Sequence, residues 1–209
     1  MVNFRTASLL SVLLSCLASV GMMSWPAHRA EASQAGSVPR PAPTLQMAWT
    51  LGSRLSLAAV LHDRAASAEQ VNKVLAQASA VGKAMGVDVP PLPARTGSTA
   101  EHSAELLAYL LHKAGGPIAR VLSDKHSQAH SDLFELAVKS NILLMMYAPG
   151  ESSAVTIVNV IERNGPRAKL PVVLWKPVVD LVRGSATYQE VRDAVFKMHT
   201  DIAAHLAPM

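Results

Sequence analysis

The stretch LFELAVKSNILLMMYAPG, residues 133–150, decides the fold. From Ser140 to Gly150 it carries no charge, and Ile142 to Met146 leave it no polar face. Spanning a bilayer takes about 20 apolar residues, and here Glu135 and Lys139 stand within one or two turns. A helix apolar on every side but too short to span is central and buried. The sequence therefore predicts a helix over about 127–147 at the heart of an all-α domain. The rival reading makes the same surface a groove for a partner.

A second stretch, AWTLGSRLSLAAVLHD at residues 48–63, echoes the first. Shifted by 85 positions, Trp49 meets Phe134, Leu51 meets Leu136, Arg54 meets Lys139 and Leu57 meets Ile142. Gly52 and Ser56 then fall on Ala137 and Asn141. Small residues four apart lie on one helix face and let two backbones approach closely. The expectation is a duplicated three-helix unit, with halves at about 46–122 and 127–207. The first helices of the two halves cross near a pseudo-twofold axis.

Other helices follow from caps and stripes. SAEQ (Ser67, Gln70), STAE (Ser98, Glu101) and TYQE (Thr187, Glu190) are capping boxes, in which two side chains satisfy free amides at a helix start. Behind them run Val71, Val74 and Ala78, then Leu106, Leu107 and Leu110, then Val191, Val195, Met198 and Ile202. That periodicity marks buried helix faces. Gly115-Gly116-Pro117 reads as a helix stop, followed by a short helix in PIARVLSDK. Residues 152–163 read as a helix ended by Asn164-Gly165-Pro166, although VTIVNVI has strand propensity. LPVVLWKPVVDLV reads as a segment interrupted by proline. The total is six to seven helices in a single domain over 46–209.

The N-terminus carries an address. Arg5 precedes an uncharged run from Thr6 to Met23, then Pro26 and the A-x-A pattern Ala30-Glu31-Ala32. These are the three parts of an export signal, so residues 1–32 are expected to be removed and the chain to be periplasmic or secreted. The rival readings are a lipid anchor at Cys16 in LLSC and an apolar stretch that stays uncleaved as an anchor. Residues 33–45, rich in Pro, Ser and Ala, read as a tether.

Cys16 is the only cysteine, so cleavage leaves no disulfide, thiolate ligand or cysteine nucleophile. Losing Arg5, Arg29 and Glu31 takes the net charge from +4 to +3. The positive residues are dispersed and stand beside no aromatic cluster, which argues against a nucleic-acid partner.

Seven of the eight histidines lie beyond residue 32, and they are the one concentration of chemistry. His126 and His130 are four apart, which on one helix would place two imidazoles side by side as metal ligands. Asp124 and Asp132 stand near them, and His199 is the choice for a third ligand. The bland alternative is a polar helix entry. Met145, Met146 and Met198 are soft ligands for copper or haem iron by type, and core fillers by the simpler reading. The sequence contains no G-x-S-x-G, H-E-x-x-H, phosphate loop or C-x-x-C-H. The expected function is therefore non-catalytic: an exported helical protein that binds a protein partner or serves as an accessory in the cell envelope. The alternative is a periplasmic protein holding zinc, copper or haem through its histidines.

Overall fold

The computed structural model describes residues 44–147, 149 and 152–207, and all its regular structure is helical. The expected export signal lies outside the described residues, as does the tether apart from Thr44 and Leu45. Helix α1 spans Leu45–Asp63, α2 Ala68–Ala84, α3 Thr99–Ala108 and α4 Gly115–Lys125. Helix α5 spans Gln128–Met146, α6 Ser152–Arg167, α7 Val172–Arg183 and α8 Tyr188–His205. All three capping boxes form, and they open α2, α3 and α8.

Helix α5 is buried over most of its surface, from Leu133 and Phe134 to Leu143 and Leu144, with Glu135 and Lys139 half-buried on one side. It packs against α1, α4, α6 and α8. Its apolar stretch is thus core of this same chain, filled by its own neighbours. Among the described residues, no helix is long and apolar enough to cross a membrane.

The α1–α5 crossing falls where the small residues predict it. A Cβ placed on Gly52 would lie 2.6 Å from the carbonyl oxygen of Phe134 and 2.9 Å from Cβ of Ala137. One turn on, Asn141 Nδ2 donates to Ser56 Oγ at 2.7 Å, and Ser56 donates in turn to the carbonyl of Gly52 at 2.7 Å. Gly52 faces Ala137 and Ser56 faces Asn141, each pair 85 positions apart. Residues related by a twofold axis meet each other where that axis passes between two helices, and these two pairs have that relation. Both Ser56 and Asn141 are buried, so the amide and hydroxyl must satisfy each other in the absence of water.

Three local expectations are corrected. Gly115-Gly116-Pro117 opens α4 instead of closing α3. Proline is tolerated in a first turn because its missing N–H has no helical partner there. Helix α3 runs on into a π-helical turn, Tyr109–Lys113, and a Cβ on Gly115 would overlap the carbonyl oxygen of Leu110 in that turn. A π turn holds one extra residue. Aligned on their capping boxes, α3 and α8 match 89 positions apart, which pairs buried Leu106 with buried Val195. Beyond the π turn the buried pair Ala114 and Ile202 is 88 apart.

The second correction concerns α6, which continues through Asn164-Gly165-Pro166 to Arg167 and turns off at Lys169 with φ +57°. Gly165 is a packing gap: the indole of Trp175 lies over it, 2.6 Å from where a Cβ would sit. The third is α7, which forms despite two prolines. Pro171 is its N-cap, and Pro177 forfeits a single backbone bond while Trp175, Val178, Val179 and Val182 are buried.

Candidate functional site

Five of the described histidines fall into three settings. His126 lies outside α5, at the C-cap of α4, because Ser127 between them is extended at φ −166°. The two imidazoles are therefore not one turn apart on a single helix. Their rings still approach, with centroids 5.4 Å apart and planes tilted by 41°. His126 Nε2 donates to the carbonyl of Met85 at 2.9 Å, and Lys125 Nζ donates to the carbonyl of Gly86 at 2.8 Å. Both side chains thereby cap the end of α2, where carbonyls lack helical partners. His130 Nδ1 lies 2.7 Å from Ser127 Oγ.

His199 is elsewhere. Its Nε2 is 2.7 Å from Ser140 Oγ and its Nδ1 is 3.3 Å from Ser53 Oγ. Ser140 gives its own proton to the carbonyl of Ala137 at 3.1 Å. The network therefore assigns the proton to His199 Nε2, and Nδ1 accepts from Ser53. Trp49 packs on the ring with centroids 4.8 Å apart. By area the side chain is partly buried, yet the protein atoms around the ring are as dense as in the interior. That desolvation pulls its pKa down to about 4, so the ring is neutral near pH 7. Ser140 follows His130 by ten residues on α5, which is about 15 Å of helix rise. His126 and His130 are brought together and His199 is not. Among the described residues, no three His, Cys, Asp or Glu side chains gather as a metal would require.

The third setting is one that sequence reading missed. His62 near the end of α1 and His102 in the first turn of α3 face each other, with Nδ1 of His62 2.7 Å from Nε2 of His102. The ring centroids are 4.7 Å apart and tilted by 52°. His102 is 1 % exposed, and its Nδ1 is buried with no partner. Ser103 donates to Asp63 beside the pair, and Arg95 donates to the carbonyl of His62 at 3.2 Å. Burial lowers the pKa of His62, the charges of His102 and Arg95 lower it further, and Asp63 opposes them. The one sequence signal was negative: a histidine in the first turn of α3 has no partner or dipole of its own to explain it.

Other buried polar groups join elements. Tyr109 Oη donates to the carbonyl of Pro90 at 2.5 Å, and burial pushes its pKa up to about 12. Tyr147 Oη donates to the carbonyl of Ala186, and its pKa is raised by burial and by the charge of Glu190. A small cavity of about 50 Å³ lies among Leu110, Gly115, Phe134 and Lys139. Pockets for small molecules run to several hundred Å³, so this one suits a water or two. No protein-family model, curated protein or solved structure matches the chain.

Proposed function

We propose that this is an exported, non-catalytic helical protein that acts by binding a protein partner in the cell envelope. One observation carries the reading: several of the polar side chains that enter the interior tie helices to one another or to their connections. His199 spans Ser53 and Ser140, Asn141 ties Ser56, His126 caps α2, and two tyrosines fasten connecting segments. Such networks rigidify a scaffold. A rigid scaffold is suited to presenting a surface, and a reaction would call for a base in contact with substrate. Val155 on α6 and Val172 and Val173 on α7 supply exposed apolar area, at 60, 52 and 75 %.

The test has two parts. Intact mass of the protein from its native cells should give a chain beginning at Ser33. A photoreactive residue at Val173 should then cross-link one saturable partner that unlabelled protein displaces, and the same probe at exposed Lys73 should not. A chain retaining residues 1–32, or equal adducts from both positions, refutes the reading. The metal-binding alternative keeps one observation in its favour, the 5.4 Å approach of the His126 and His130 rings.

A further inference from the structure

Helix α3 has little of its own to hold it. Of its ten residues only His102 and Leu106 are buried, and an irregular segment from Gly86 to Ser98 precedes it. Its first turn meets the end of α1 through two contacts: the His62–His102 hydrogen bond, and Ser103 donating to Asp63. These contacts join residues 40 positions apart. The capping box holds the turn within itself, and its attachment to α1 depends on the state of four side chains.

We infer that the His62–His102 pair is an acid-released latch: it fastens the first turn of α3 to α1 while at least one of the two rings is neutral, and lets go when both are protonated.

The reason is elementary. At 2.7 Å one ring donates an N–H and the other must present a bare nitrogen. A first proton can be taken without losing the bond, since an imidazolium still donates to a neutral imidazole. A second proton turns both facing nitrogens into donors and sets two positive rings against each other. The first proton has its own cost: the one bare nitrogen must then be one of the facing pair, so His102 Nδ1 already carries an N–H, and no partner meets it there. The charges around the pair set the threshold. Asp63, with its side chain only 10 % exposed, offsets a first imidazolium. Arg95, from the segment before α3, opposes it. Arg64 pairs loosely with Asp63 at 3.9 Å, and Glu101 is occupied in the capping box with Ser98.

Hydrogen exchange of the full chain, read by mass spectrometry at about pH 7.5 and about pH 4.5, tests this. Rates are corrected for the intrinsic chemistry of exchange and for any change in global stability seen in α5 peptides. The expected result is that peptides covering 99–108 lose about tenfold or more in protection at acid pH relative to α5, a tenfold change being one proton-linked pH unit. His102→Leu puts an apolar side chain in the buried site and leaves no second ring for His62 to oppose, so the acid-specific loss should vanish. His62→Gln keeps an acceptor for His102 Nε2–H with no second titrating ring, and should behave the same way if His102→Leu proves too disruptive. Asp63→Asn should move the release to higher pH. The latch is overturned if α3 follows α5 at acid pH in the wild type. It is equally overturned if α3 loosens to the same extent in both histidine variants.

Discussion

Acid should destabilise the whole domain through His199, and the size of the effect can be worked out. In the unfolded chain an imidazole titrates near ~6.5. In the folded chain burial holds His199 down to about 4. Between these values the unfolded state binds a proton that the folded state refuses, so stability falls as the pH falls. The contribution is fully present above ~6.5 and is lost progressively down to the folded value. At about pH 4.5 the loss is roughly 2.5 kcal/mol by linkage. Because the ring keeps some accessible surface, about 2 kcal/mol is the better figure after solvent screening. His199→Gln retains an amide that can reach Ser140 but does not titrate. Urea unfolding followed by circular dichroism, at pH steps between about 7.5 and about 4.5, gives the stability of both proteins. The variant should be the less stable near neutrality, having lost the packing of Trp49 on the ring. The gap should then close by about 2 kcal/mol as the pH drops. Carboxylates titrate alike in both proteins and cancel in the difference. A gap that stays constant with pH would mean that His199 is solvated, and would refute the argument.

Gly52→Ala should destabilise by about 1–3 kcal/mol or more, since its new Cβ meets the backbone of Phe134, which cannot yield. Gly116→Ala is the control: its nearest obstacle is 3.6 Å away, so a thermal melt should show no loss and a gain of up to about 1 kcal/mol. Leu144→Ala should cost roughly 2–5 kcal/mol, as expected for a core leucine that is 5 % exposed; an unchanged melt would mean that α5 presents this face to a partner. Calorimetry with zinc and copper at about pH 7.5 and about pH 5.5 decides the metal alternative. With His126 Nε2 committed to the Met85 carbonyl and His199 held on α8 against Ser140, no tight binding that His126→Ala/His130→Ala removes is expected. Tight, acid-sensitive binding lost in that double variant would overturn the expectation.

Much of the scaffold is legible in the chain because it is encoded within a few residues. A capping box needs a hydroxyl and an acid or amide three positions apart, and all three such boxes form as read. The α1–α5 crossing is legible for a similar reason. Gly52 and Ser56, like Ala137 and Asn141, mark a flat helix face by their spacing alone, and an all-apolar helix has nowhere to go but the centre. Where a purely local rule was applied to a residue serving a distant one, the reading failed. Gly165 looks like a helix stop but is small because Trp175 lies on it. Gly115 looks like a stop but makes room for the Leu110 carbonyl of a π turn. Pro177 looks like a breaker, yet the burial of four side chains outweighs one lost backbone bond.

The histidines show the same division most sharply. Spacing suggested His126 and His130, and one extended residue, Ser127, took His126 out of the helix and turned it into a cap for α2. Nothing local links His62 to His102, or His199 to Ser53 and Ser140, because each pairing exists only after helices far apart in the chain have packed. Apart from α7, the sequence by itself determined which segments are helical, where most of them start and which face of each is apolar, since those properties follow from backbone periodicity and nearest neighbours. Only the tertiary structure decided which imidazole loses its water, which nitrogen is left without a partner and which charge stands beside it. Those depend on distances of a few ångströms between residues that are 40 to 146 positions apart.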